Sequence, residues 1–303
     1  MDFEPSILGS VGVELELQIV DPVSLDLRDG IMPILERLKD SPYVRPELIQ
    51  DCVEIGTRPC LTSAQIEEHL VEVASSLHAQ ATSLAMALCG SGTQPFCRRL
   101  STMTPRPRYM QLEERVGFMA HTQQTFATQV HVGVRSGQEA IDVMRELRMY
   151  LPVLLALSAN SPLWRGHETD CASYRHRILA ATRSYGVPPA FDTWQQFCEF
   201  LDTSHRAGLF ASIKDIHWDI RPQPRFGTVE VRVMDAQSKL RHVAELAALI
   251  RALVVYLTRS ERAPGLPRPL PWWTEKENHF QAARLGLDGA YVRDAEGNAG
   301  SLR

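Results

Sequence analysis

The six cysteines, Cys52, Cys60, Cys89, Cys97, Cys171 and Cys198, form no CxxC pair. Thiols scattered in this way argue against a zinc ribbon and predict free, reduced cysteines in a cytoplasmic protein. No apolar run reaches the ~20 residues of a membrane-spanning helix, so no span is expected. The opening MDFEPSILGS lacks the basic and apolar regions of a secretory signal. Net charge is only −4 over 303 residues, so nothing here asks for nucleic acid or an anionic membrane. There is no GxxxxGK[ST] loop, no GxGxxG after a strand, no GxSxG and no HExxH. A bound nucleotide would then be held by side chains and metal, not by a glycine-rich cradle. Repeats and low-complexity tracts are absent too.

What is present is an alternation that occurs three times. In Thr228–Met234, Val229, Val231 and Val233 fall on one side, and Thr228, Glu230, Arg232 and Met234 on the other. In VGVELELQI, Val11, Val13, Leu15, Leu17 and Ile19 oppose Gly12, Glu14, Glu16 and Gln18. In QVHVGV, Val130, Val132 and Val134 oppose Gln129, His131 and Gly133. A period of two marks a half-buried strand. If the three share a sheet, Glu14, Glu16, His131, Glu230 and Arg232 converge on its polar face. A solvated sheet face with a cross-strand ion pair is the alternative. Carboxylates two apart on a strand are about 7 Å apart along it, which suits two neighbouring cations better than one chelate. Unless a cation neutralises them, they repel and raise each other's pKa. Carboxylate-rich ligation with little His and no Cys suits Mg²⁺ or Mn²⁺. Val53 and Ile55 flank Glu54, which makes it a further candidate for this face, or an edge-strand residue in water.

Between these strands the pattern predicts helices at Ile31–Leu38, from a Thr62 or Ser63 cap to about Leu88, and at Tyr109–Ala120. Further helices are expected at Gln138–Ser158 (bent or split by Pro152), within Thr169–Ala181, and at Thr193–Leu201, Lys239–Thr258 and Glu275–Leu287. Leu25–Leu27 is expected to return as a short strand. Arg221 and Arg225 fall in a Pro-rich loop. Glu261–Trp273 reads as a Pro-rich linker, near 261–271, and Asp288–Arg303 as an irregular tail. The whole is expected to be one domain, 1–303. The fold class is α+β: a largely antiparallel sheet, helices on one face and an open polar trough on the other. The apolar helix Lys239–Thr258 fits either a buried core position or a homo-oligomer contact.

GVELELQIVDP, VEIGTRP, GTQPF, QVHVGV, LSANSPLWRG, ASYRHR, WDIRPQPRFGTVEVRVMDAQ and AARLGLDG occur in that order. Together they resemble the bacterial type 2 glutamate–cysteine ligases, carboxylate–amine ligases with a glutamine-synthetase-like catalytic fold. The resemblance covers nearly the whole chain. It implies ATP-dependent amide formation, with Mg²⁺ or Mn²⁺, from L-glutamate and an amine such as L-cysteine. By the same resemblance Glu14, Glu16, His131 and Glu230 would hold metal, with Glu54 near the amino acid or metal. Arg232, Arg221 and Arg225 would bind phosphates or the substrate carboxylate. Arg232, Glu54 and His131 are the catalytic candidates, and Tyr174, Arg175 and Arg177 would recognise ATP or substrate. The chain departs from the family pattern at Gln129 (HVHVG in relatives), at Gln94 (GTHPF in relatives) and in ending soon after AARLGLDG. Glutamine cannot take a proton at neutral pH, which removes an imidazole role at both places. Two other readings are a phosphotransferase on the related guanidino-kinase-like fold and a member that binds nucleotide or amino acid without turnover.

Overall fold

The computed structural model describes residues 1–39, 41–182, 184–259 and 269–303. In chain order the elements begin with strand β1 (Val11–Val20), helix α1 (Ile31–Arg37), β2 (Val44–Pro46), β3 (Cys52–Gly56), α2 (Ser63–Ser83) and β4 (Ala87–Cys89). Next come α3 (Pro107–Val116), α4 (Met119–Thr122), β5 (Ala127–Gly133), α5 (Gly137–Leu147) and α6 (Leu151–Ser158). The hairpin strands β6 (Leu163–Trp164) and β7 (His167–Glu168) precede α7 (Tyr174–Ala180), β8 (Tyr185–Gly186), α8 (Trp194–Arg206) and β9 (His217–Trp218). The chain then forms β10 (Ile220–Gln223), β11 (Thr228–Asp235), α9 (Leu240–Leu257), α10 (Trp272–Leu285), β12 (Ala290–Val292) and β13 (Ala299–Ser301).

The central sheet runs β10-β11-β5-β1-β3-β2, with β4 also paired to β1, and every pairing in it is antiparallel. Burying the valine faces together sets the register, because a one-residue slip would turn every side chain over. The polar residues are thereby aligned across strands. Gly12 lies opposite His131, and His131 opposite Glu230. Glu16 lies opposite Glu54, and Glu54 opposite Arg45. Helix α9 packs against α2, α5 and the sheet, while α6, α7 and α10 gather beside β11. Val243, Ala244, Ala247, Ile250 and Val254 of α9 are buried in the core, which accounts for that helix's apolar face.

Several expected boundaries move. Helix α2 starts at its Thr62 cap but ends at Ser83, after which Ala85 adopts φ 54 and β4 begins. The helix expected over Tyr109–Ala120 is divided at Gly117 (φ 62) into α3 and α4. Pro152 does split Gln138–Ser158, sitting in the first turn of α6 where its missing N–H costs nothing. The expected strand at Leu25–Leu27 is a single bridge from Val20 to Leu27. Arg221 belongs to β10, not to a loop, because strand β10 pairs from Ile220 onward. The tail expected to be irregular folds as the β12–β13 hairpin, with Asn278 of α10 bonded to the backbone of Val292 at both its N–H and C=O. Of the Pro-rich linker, residues 261–268 lie outside the described residues, and Trp272 and Trp273 belong to α10.

All six cysteines are free. No described helix is long and apolar enough to cross a membrane.

Candidate functional site

The polar face of the sheet is the floor of a cleft of about 930 Å³. It is less open than a solvated trough. Strands β5 and β11 are buried on both faces, and Glu54, His131 and Glu230 are 6%, 8% and 1% exposed. The walls include Tyr109 and Leu112 of α3, Tyr185 and His217 of β8 and β9, and Phe226 of the β10–β11 turn.

Two groups of potential ligands lie on this floor, and β1 supplies one carboxylate to each. Glu14, His131 and Glu230 form the first group, with ligand atoms within 4.8 Å of one another. His131 Nε2 lies 3.6 Å from Glu14 and 4.0 Å from Glu230, and its Nδ1 is 3.1 Å from Thr228 Oγ1. Glu230 is the anchor of a cation network. It accepts from Arg221 Nε at 2.7 Å and Nη2 at 3.2 Å, from Gln223 Nε2 at 2.6 Å, and from Arg232 Nη1. These four bonds occupy the four acceptor positions of a carboxylate. A cation at this group would therefore have Glu14 and His131 as its freer donors. Burial raises the Glu230 pKa, but Arg221, Arg232 and His131 overcome it and hold the carboxyl well below its ordinary range. Burial opposes charge on Glu14 too, and bonding to His131 reverses the effect to a net lowering. His131 is disfavoured as a cation by burial, yet Glu230 and Glu14 raise its pKa overall.

Glu16, Glu47 and Glu54 form the second group, again within 4.8 Å. Its electrostatics are the opposite. Burial, then repulsion from the neighbouring carboxylates, pushes Glu47 up to about 7 and Glu54 well above its usual value. Glu16 is raised by burial despite Arg175 and Arg232. The counter-charge in direct contact is Arg45, whose Nη1 reaches Glu54 at 3.4 Å and Glu14 at 3.1 Å from a half-exposed position. Three crowded carboxylates short of positive charge form a hard-oxygen donor set, which fits Mg²⁺ or Mn²⁺. On that chemistry the residues fit the cation that the sequence suggested.

Arg232 stands between the groups. Its Nη1 donates to Glu230 and to Gln129 Oε1, and Gln129 Nε2 donates to Glu16 at 2.9 Å. The Arg232 Nε–H is buried without a protein partner. Gln129 thus acts as a neutral link between the second carboxylate group and the arginine network. Gln94 lies apart from the cleft, bonding the backbone of Phe96, Cys97 and Leu25.

The structure brings Glu14, Glu16, Glu54, His131, Arg221, Glu230 and Arg232 into one cleft. Arg225 it leaves on the exposed β10–β11 turn. Tyr174 packs on Trp164, and Arg177 lies over Phe280. Neither lines the cleft. Arg175 is buried and does not line the cleft, donating to the carbonyls of Val233 and Arg232 and to Tyr185 Oη. It holds the backbone of Arg232 and the cleft residue Tyr185, and its charge opposes the burial of Glu16. Glu47 and Arg45 belong to the site without having been singled out in the sequence. Arg45 carried a detectable signal, since it shares the short β2–β3 pairing with Glu54. Glu47 lies just past β2, outside any periodic pattern.

The family profile described as glutamate–cysteine ligase family 2 matches residues 10–303. A Trichormus variabilis protein named "Putative glutamate--cysteine ligase 2" is 44% identical over 306 residues, covering 100% of this chain and 79% of that protein. The chain belongs to glutamate–cysteine ligase family 2. A family 2 relative from Thermobifida fusca is 37% identical, covering all of this chain and 78% of its own. Among solved structures, a glutamate–cysteine ligase from Francisella tularensis in complex with AMP superposes with TM-score 0.69 at 14% identity. It covers 100% of this chain and 76% of that one. A bifunctional glutathione synthetase from Pasteurella multocida gives 0.67 at 13%, covering 92% of this chain and 41% of that one. At such identities the structures establish a shared fold. Family 2 membership makes this chain a ligase.

Proposed function

We propose that this family 2 ligase joins the γ-carboxylate of L-glutamate to an amine, nominally that of L-cysteine, at the expense of ATP. The observation that carries the reading is the pairing, in one cleft, of a charge-deficient carboxylate group with an arginine held by a buried network. A γ-carboxylate oxygen attacks the terminal phosphorus of ATP and ADP leaves. The amine nitrogen then attacks the acyl carbon, inorganic phosphate leaves, and the nitrogen's proton passes to solvent or a carboxylate. A bound divalent cation would neutralise phosphate charge. Glu16, Glu47 and Glu54 would hold one, and Glu14 with His131 a second. Arg232 presents its guanidinium to the transferring phosphoryl group. Arg221 keeps Glu230, and through it Arg232, in place.

The deciding assay is ADP release from Mg·ATP with L-glutamate, with and without L-cysteine and a panel of other amines. Amine-dependent release with a matching amide by mass spectrometry supports the reading and names the amine. ATP binding without release would replace it with the binding-only reading.

Two quantitative expectations follow from the charges. Glu14→Gln removes one of the freer donors of the first group. It is expected to weaken Mg·ATP binding at least about 10-fold by calorimetry, with the circular dichroism spectrum unchanged. Unaltered affinity would remove Glu14 from the cation site. The second expectation concerns pH. Glu47 titrates near 7 in the folded protein, so Mn²⁺ must displace protons below that value. Affinity for Mn²⁺ alone should rise between about pH 6 and 8, by up to about tenfold per unit for each proton displaced. A flat profile would show that the cation does not bind at Glu16, Glu47 and Glu54.

A further inference from the structure

The LSANSPLWRG motif supplies no residue to the cleft lining beyond the framework that carries it, yet its loop has an unusual construction. Leu163–Trp164 and His167–Glu168 form a hairpin joined by Arg165 and Gly166. Both central residues have positive φ, 50 and 83. Two-residue hairpins favour this geometry, and Asn, Asp or Gly normally takes the first position because a larger side chain is strained there. Here the position is occupied by arginine. An observed strained residue of a disfavoured type is grounds for a functional hypothesis.

The side chain adds to the case. Arg165 lies over the Trp164 ring, with Cζ 5.1 Å from the centroid. Its Nε and Nη2 are buried and have no hydrogen-bond acceptor. A second guanidinium reaches the same turn, with Nη2 of the exposed Arg98 3.1 Å from where a Cβ on Gly166 would be. Glu168 and Asp170, the acidic residues of the same loop, make no ion pair with either arginine among the described residues. The buried Arg165 donors without acceptors are destabilising, and Arg98 brings a second positive charge to the same turn. One oxyanion would relieve both, since a guanidinium fork matches paired oxygens.

We propose that Arg165 and Arg98, with Trp164 as the platform, form an oxyanion-binding site on the β6–β7 hairpin, separate from the catalytic cleft. None of the three residues lines that cleft. The ligand class is a small phosphate or carboxylate, or such a group on a larger metabolite. The site is independent of the amine chosen by the ligase and of turnover.

The test measures thermal unfolding of the full chain in sodium phosphate and in sodium acetate, at constant ionic strength balanced with sodium chloride. Wild type, Arg165→Asn and Arg98→Ser are compared. Asparagine suits the turn and removes the guanidinium. Arg165→Asn should melt higher than wild type without anion and lose the saturable anion-dependent rise of a few degrees. Arg98→Ser keeps the turn and should show a reduced rise. Phosphate bound in the cleft would shift all three proteins alike, so only the difference between them reports the hairpin. A larger difference with phosphate identifies a phosphoryl ligand, and a larger one with acetate identifies a carboxylate. Identical anion responses in the three proteins, or an Arg165→Asn protein that melts below wild type, would overturn the proposal. If Arg165→Asn does not fold, an undiminished response in Arg98→Ser does the same.

Discussion

Arg232→Lys is expected to lower the rate of ADP release by about 10²–10³-fold, the scale seen when one preorganised transition-state donor is removed. Charge is retained in this variant, so the loss must come from geometry. One Arg232 nitrogen bonds both Glu230 and Gln129, and the side chain still lines the cleft. A planar fork can satisfy two protein acceptors and still present another N–H in a fixed direction. A lysine ammonium is a compact point charge on a flexible stem and cannot hold those directions together. Burial lowers the Arg232 pKa, but Glu230 outweighs it and raises the value, so the wild-type group stays charged throughout the working range. Single-turnover ADP release with saturating Mg·ATP and L-glutamate measures the effect. Wild-type turnover in a folded Arg232→Lys protein would take Arg232 out of the chemistry.

The same residue shows how far the sequence could be read. Alternation in β1, β5 and β11 is a local property, and it placed Glu14, Glu16, His131, Glu230 and Arg232 on one face. The register that joins them needs only that three valine-rich faces be buried together. Other assignments depended on where a strand or helix stops. Arg221 and Arg225 are four apart in the stretch RPQPR, but strand β10 takes the first and the exposed turn takes the second. Tyr174, Arg175 and Arg177 are adjacent on a helix that turns ~100° per residue, so they cannot all face one site. Arg175 bonds the β11 backbone and Tyr185, while Arg177 meets Phe280 on α10. Glu47 was hidden for a different reason. It follows a three-residue strand, and only the tertiary fold brings it to Glu16 and Glu54. The hairpin of the tail was equally invisible, since it is held by Asn278 of α10 and not by any strand pattern of its own.

Glu230→Gln and Glu47→Gln should move stability in opposite directions, although both replace a carboxylate of the same cleft with its neutral isostere. Glu230 is 1% exposed and joins Arg221 and Arg232. Its glutamine variant strands two buried guanidinium groups and points an amide N–H₂ at donors. Breaking a buried pair in this way costs about 3–5 kcal/mol, read as a lower urea midpoint with an unchanged m-value. The folded-state pKa of Glu230 is depressed. Its contribution is therefore complete above the unfolded carboxylate range, near pH ~4.3, and is lost as pH falls through the folded value. The gap between wild type and Glu230→Gln should close only in strong acid. Glu47 has a raised folded-state value of about 7. Its ionisation destabilises the metal-free fold progressively from the unfolded range up to that pH. At pH 8 without divalent cation, Glu47→Gln should therefore be at least as stable as wild type, and Mn²⁺ should stabilise it less than wild type. A Glu230→Gln protein within ~1 kcal/mol of wild type, or a Glu47→Gln protein destabilised at pH 8, would contradict the division of this floor into a charge-satisfied group and a charge-deficient one.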